Sequence, residues 1–140
     1  MTASATTLLE GIPEKLGSAT SWEEKGGALW LTLEARNVRQ LATVMNEIKA
    51  RFLTATAYQP AGQESAYIEY HWDCEGQLLG FRFPLPGRSI DSIYDLCEAA
   101  DWVEREIHEG FDFEFPGREY EPLKLRQGDT MGVTLREEVK

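Results

Sequence analysis

From Ser65 to Leu85 the chain alternates between apolar and polar positions in steps of two. In "SAYIEYHWD", Ala66, Ile68, Tyr70 and Trp72 interleave with Tyr67, Glu69, His71 and Asp73. In "QLLGFRFPL", Leu79, Phe81, Phe83 and Leu85 share a face. Period-two patterning predicts two strands with one buried side each. "CEG" joins them, and Pro84 and Pro86 end the second. The threonine- and aromatic-rich "FLTATAY" predicts a strand before them. Further upstream, "ATSWEEKGGALWLTLE" predicts a β-hairpin whose arms carry Trp22 and Ala28 to Leu33, with "KGG" supplying the turn.

Elsewhere the period is helical. Val38, Leu41, Ala42, Met45, Ile48 and Phe52 recur three and four apart behind Asn37, a residue suited to the N-cap. In "TTLLEGIPEKLG" the spacing of Leu8, Leu9, Ile12 and Leu16 is helical, but Gly11 and Pro13 predict a short or broken helix. "SIDSIYDL" and "ADWVEREIHEGF" predict helix, and "DFEF" predicts extended chain. Ser92 with Asp95, and Asp101 with Glu104, stand three apart as in capping boxes. The order of elements implies an α+β fold of two layers, a mixed sheet of about five strands with helices packed on one face. Residues 1–116 form the expected single domain. Residues 117–140 lack a sustained period around Leu123, Leu125, Met131, Val133 and Leu135, and are expected to be an extended tail or arm that orders against a partner, the alternatives being a strand-like arm packed on its own domain or a frayed terminus.

The chain of 140 residues is long enough for one core. Acidic residues outnumber basic ones 24 to 14, a formal charge of -10. That surface repels phosphate backbones and anionic lipid, which argues against nucleic-acid binding and direct membrane contact. No apolar run reaches the ~20 residues of a membrane-spanning helix, and "MTASATTLLEG" does not read as a signal peptide. Cys74 and Cys97 form no close-spaced pair and read as reduced thiols of a cytoplasmic protein.

The candidate chemistry gathers in "AADWVEREIHEGFDFEF". On a helical wheel Val103, Ile107 and Phe111 stack, Trp102 extends their arc, and Asp101, Arg105, His108 and Glu109 face away. Asp101 and Arg105 form an acid-first i,i+4 pair. Glu106 then falls inside the arc: either it borders the core and reaches solvent, or it is a desolvated carboxylate held by a backbone group or by Arg82, Arg105, Arg126 or Arg136. Glu104 and His108, four apart, have a spacing that can present two ligands to a metal, with His71 as a distant third. A metal-dependent enzyme using Glu104 and His108 is therefore a rival reading. No Gly-rich phosphate loop, serine elbow or Cys–His nucleophile is visible. The four tryptophans, Trp22, Trp30, Trp72 and Trp102, read as core, or as an interface if two lie exposed together.

The stretch "SIYDLCEAADWVEREIHEGFDFEF" resembles the signature region of the 30-kDa subunit of respiratory NADH dehydrogenase, complex I. It is also similar to the small subunits of energy-converting [NiFe] hydrogenases. Trp102, Glu104, Arg105, Glu106, His108, Glu109, Phe111, Phe113, Phe115 and Gly117 occupy matching places. The hairpin ending in "FRFPLP" and, more loosely, "RQLATVMNEIKARFLTATAY" extend the similarity to about Asn37–Gly117. Two places depart from the pattern. Asp112 replaces a glycine, so the helix is expected to end at Gly110, and Arg118-Glu119 replaces His-Pro.

The resemblance implies a structural subunit without catalytic residues, cofactor or metal. Its implied partners are the large [NiFe]-hydrogenase-like subunit and other peripheral-arm subunits. It is implied to lie in the cytoplasm, at the inner face of the membrane through those partners. Arg118, Leu123, Leu125, Met131 and Leu135 are the interface candidates. The alternative within the same fold is a stand-alone, homo-oligomeric binding module.

Overall fold

The alternating stretch forms an antiparallel meander. The computed structural model describes residues 9–17, 21–63 and 65–119. Its strands are β1 (Glu23–Lys25), β2 (Ala28–Thr32), β3 (Arg51–Tyr58), β4 (Ala66–Cys74) and β5 (Gln77–Leu85). Its helices are the short α1 (Ile12–Lys15), α2 (Val38–Glu47) and α3 (Asp101–Phe111). The five strands make one mixed sheet in the order β1-β2-β5-β4-β3, with β2 parallel to β5 and every other pair antiparallel. This is the expected α+β class.

Both tight hairpins turn on two consecutive residues with positive φ. Gly26 and Gly27 stand at 62° and 81°, and Glu75 and Gly76 at 50° and 89°. A two-residue turn of this hand matches the twist of the strands it joins. In register, Leu31, Phe81, Tyr70 and Ala55 line up across four strands, and Phe83, Ile68 and Ala57 line up one step away. All of them are buried, in one cluster with Val38, Leu41, Ala42 and Met45 of α2 and Ile107 of α3. The helices thus cover one face of the sheet. Trp72 meets Phe81 edge-on at 5.8 Å, and Tyr70 meets Phe83 at 5.6 Å, the geometry that aromatic quadrupoles favour.

The opposite face carries its own small packing unit. Trp30 lies over Gly80 and meets His71 edge-on at 5.4 Å. A Cβ on Gly80 would sit 2.5 Å from the Trp30 ring, so this position needs glycine for close approach. Glu69 accepts from Arg82 at 2.8 Å and from the Tyr58 hydroxyl at 2.9 Å. Arg82 is therefore committed to Glu69 rather than to the final helix.

Three local expectations change. "SIDSIYDL" is not helical. Its Ile90 and Ser92 amides donate to Glu114 and Pro116 carbonyls at 3.1 and 2.9 Å, and the Glu114 amide donates to the Arg88 carbonyl at 2.9 Å, a parallel pairing. Backbone partners two residues apart hold this segment extended despite the helical spacing of Ile90 and Ile93, both buried. Neither expected capping box forms: α3 starts after Ala100 with no side-chain cap, and Ser92 is bound elsewhere. Asn37 does occupy the N-cap of α2, yet its amide donates to the Leu16 carbonyl, tying α1 to α2. Finally, α3 runs past Gly110 to Phe111, and Asp112 itself adopts the left-handed conformation, φ 55° and ψ 42°. Asp visits that region more readily than most side chains, which is why glycine is dispensable there.

Arg39 of α2 grips the same extended segment, with two hydrogen bonds to Asp95 at 2.8 and 2.7 Å and one to the Ser92 carbonyl at 2.8 Å. Asn46 donates to the Leu96 carbonyl at 2.8 Å. Residues 86–119 thus wrap from the end of β5 over α2 to α3 and back. Among the described residues no helix is long and apolar enough to cross a membrane.

Candidate functional site

The acidic helix α3 has two unlike sides. On the inner side Glu104 is fully buried. One of its oxygens accepts from the Ser92 hydroxyl at 2.7 Å and from the Arg118 guanidinium at 3.1 Å. The other accepts from the Ile93 amide at 2.9 Å. Arg118 also reaches Asp101 at 2.5 Å and lies over the Tyr94 ring at 4.9 Å. Burial works against the Arg118 charge, but its hydrogen bonds to Asp101 and Glu104 outweigh that and raise its pKa above the ordinary value. One carboxylate therefore joins three separated pieces of chain: the extended 88–93 segment, the start of α3, and the residues after Gly117. A buried charge is tolerable when each oxygen is occupied, as here.

Of the two readings the sequence pattern allows for Glu106, the desolvated one fails: Glu106 is exposed, and Glu104 takes the buried place. The difference traces to Trp102. Counting it as core pulls the apolar arc toward Glu106, whereas Trp102 is 65% exposed. Without Trp102, Ala100, Val103, Ile107 and Phe111 define the inner face. At ~100° per residue Glu104 falls about 20° from Phe111, and Glu106 about 140° away. The pattern points to Glu104 once the tryptophan is set aside.

The other expected residues take clear positions. Arg105 pairs with Asp101 at 3.1 Å, as expected, and lies over the Trp102 ring at 4.7 Å. The His108 Nδ1 donates to the Phe113 carbonyl at 2.7 Å, closing the end of α3 over the following strand-like residues. Glu109 is buried at 8% exposure, against the expectation that it faces away, and Phe111 is half-buried. Gly117 sits at φ 98°, the turn that brings Arg118 back beneath the helix. Arg126 and Arg136, and the candidates Leu123, Leu125, Met131 and Leu135, lie outside the described residues.

Glu104 and His108 do not form a ligand pair. Both carboxylate oxygens of Glu104 serve Ser92, Ile93 and Arg118, and the His108 Nδ1 serves a backbone carbonyl. Among the described residues no cluster of three or more His, Cys, Asp or Glu is arranged to hold a metal ion. His71 lies on the far face of the sheet beside Trp30, where burial lowers its pKa and nearby Glu69 opposes that shift. Burial also raises the thiol pKa values of Cys74 and Cys97, so neither is activated as a nucleophile.

Where one flank of α3 meets β3 there is a groove of about 460 Å³, lined by Leu53, Ala55, Trp102, Val103, Glu106 and Ile107 among others, so it runs from the exposed Trp102 to the rim of the inner face. A second cleft of about 620 Å³ lies between the residues after α1, the end of β2 and the turn into α2, lined by Leu16, Gly17, Leu33, Ala35 and Asn37 among others.

The family model for the 30 Kd subunit of respiratory-chain NADH dehydrogenase matches residues 31–140. The chain belongs to this family. A match of that extent runs from the end of β2 through α3, and so takes in both sides of the helix just described. Among solved structures, "Nqo5 of the trypsin-resistant fragment (1-134)" superposes with a TM-score of 0.64 at 19% identity, covering 79% of this chain and 96% of that one. A chain of the membrane-bound sulfane sulfur reductase, described as an archaeal respiratory membrane complex, gives 0.69 at 22% identity, covering 83% and 72%. At these identities the likeness is one of fold. No curated protein sequence matches the chain significantly. Family members belong to respiratory electron-transport complexes, so the complex I relationship suggested by the stretch around Trp102, Glu104, Arg105 and Glu106 holds.

Proposed function

We propose that this chain is a structural subunit without catalytic activity of its own, in a complex I-like NADH:quinone oxidoreductase or an energy-converting hydrogenase. In this reading it docks on the large [NiFe]-hydrogenase-like subunit and stands at the cytoplasmic face of the membrane through its partners. The single observation that supports it most is the family match over residues 31–140. The state of α3 points the same way, because the most deeply buried acid in the signature stretch is spent on Ser92, Ile93 and Arg118. Its role is to brace the fold.

The domain division belongs to the same proposal. Residues up to 116 carry the fold, and 117–140 supply a docking arm with Leu123, Leu125, Met131 and Leu135. Arg118 contributes by anchoring the root of that arm, since its guanidinium is turned inward to Asp101 and Glu104. Removing the gene from the native cell tests the reading. The large subunit should then run in a smaller particle, or be lost from membranes, and a reintroduced copy should restore the full particle. A large-subunit particle of unchanged size would overturn it.

A further inference from the structure

The two edges of the sheet differ in kind. The outer strand β1 is three residues long, Glu23, Glu24 and Lys25, all exposed. Short length and charge are the usual guards of a free edge. The opposite edge, β3, has eight residues, and from Phe52 to Tyr58 it carries no charge and no proline. Its pairing with β4 shifts register between Phe52 and Thr54, and beyond that irregularity Thr54 to Tyr58 pair regularly. The outward backbone groups of such a strand are a template for one more strand.

Beside this edge lies the outer flank of α3. The described residues include only three exposed large hydrophobic side chains, Leu53 at 40%, Tyr94 at 39% and Trp102 at 65%. Two of them, Leu53 and Trp102, line the same groove. Trp102 is held in place, because Arg105 lies over its ring at 4.7 Å and is itself paired with Asp101. A fixed aromatic beside an open strand edge is a preorganised anchor.

We propose that the β3 edge and the Trp102 flank of α3 receive an extended segment from another chain, which adds a sixth strand to the sheet. The groove selects its chemistry. It is lined by small and apolar side chains, with Glu106 as the ionisable group among them. The matching segment is uncharged where it lies in the groove, alternates small or apolar residues toward Trp102 and Leu53, and is flanked by Lys or Arg, which complement the formal charge of -10 on this chain. A second copy is disfavoured, because each copy has a formal charge of -10. The inference rests on the proposed role as a docked subunit and adds to the arm a second surface for that role.

The test uses the assembly isolated from native membranes through a tag on this chain. A Leu53→Lys, Thr56→Lys variant guards the edge with charge at two exposed positions, and Trp102→Ala removes the anchor separately. The expected result is at least a tenfold loss of co-isolated partner for each, with melting temperature unchanged. In the unaltered assembly, amide exchange across Leu53–Ala57 should slow at least tenfold relative to the isolated chain. A photo-crosslinker at position 56 should map to one segment of another subunit. Variants that keep their partner would overturn this inference and leave the docking role standing, whereas an unaltered chain that recovers no partner removes both. Crosslinks to residues 120–140 of the same chain, or to a second copy, would also overturn it.

Discussion

The meander β3–β5 and the wrap from Arg88 to Arg118 cover the same core but are held by different forces. In the meander, Tyr70, Trp72, Phe81 and Phe83 bury large rings on one face, and the β4–β5 ladder pairs the backbone between them. The wrap has buried apolar anchors too, among them Ile90, Ile93 and Phe113. Its path, however, is set by polar links: Glu104 to Ser92, Ile93 and Arg118, and Arg39 to Asp95. Apolar burial is non-directional and tolerates adjustment, whereas a buried carboxylate requires its partners at fixed places. The wrap is thus the more specific part of the fold and the more fragile to single polar changes.

The largest effect expected from this contrast is at Glu104. Glu104→Ala leaves Arg118 poorly compensated and strips Ser92 and Ile93 of their acceptor, a loss of about 3–5 kcal/mol by the usual cost of breaking a buried pair. Chemical denaturation reads it directly. A loss below that of an ordinary surface change would mean the wrap is held by its apolar anchors alone. Gly80→Ala tests the meander face. The new methyl would meet the Trp30 ring at 2.5 Å and should cost about 1–3 kcal/mol by overpacking. Trp30→Ala in the same background should recover part of it.

Next comes a pH effect. Burial and the hydrogen bond donated to Glu69 raise the Tyr58 pKa to about 12. Because the folded form keeps this proton more tightly than the unfolded chain, its contribution is complete below the unfolded value of about 10. It is lost as pH rises toward the folded value. Stability should fall across that alkaline window, and less steeply in Tyr58→Phe. The smallest effect is at Glu106, where replacement by Ala should shift stability by no more than about 0.5 kcal/mol, as for an exposed site. Equal losses for Glu104→Ala and Glu106→Ala would erase the distinction between the two sides of α3.

The same contrast explains what could be read from the chain. Period-two alternation marked β4 and β5, the glycine pair marked the first hairpin, and a helical stripe marked α2, because each pattern reports burial against a single face. Ser92 and Glu104 were harder. Their role depends on meeting each other and Arg118 across separate segments, and no local period encodes such a meeting. Trp102 misled for a related reason: a large apolar side chain is normally core, and here it stands exposed beside a strand edge. Asp112 shows the reverse, a substitution at a glycine position that leaves the helix end where the glycine would put it.

The central claim is that this chain works as a docked structural subunit. Its most direct test is the composition of what a tagged copy brings with it from gently solubilised native membranes. The large [NiFe]-hydrogenase-like subunit should be recovered in near-equal amount. Recovery of the chain alone, as a monomer or paired only with itself, would contradict it.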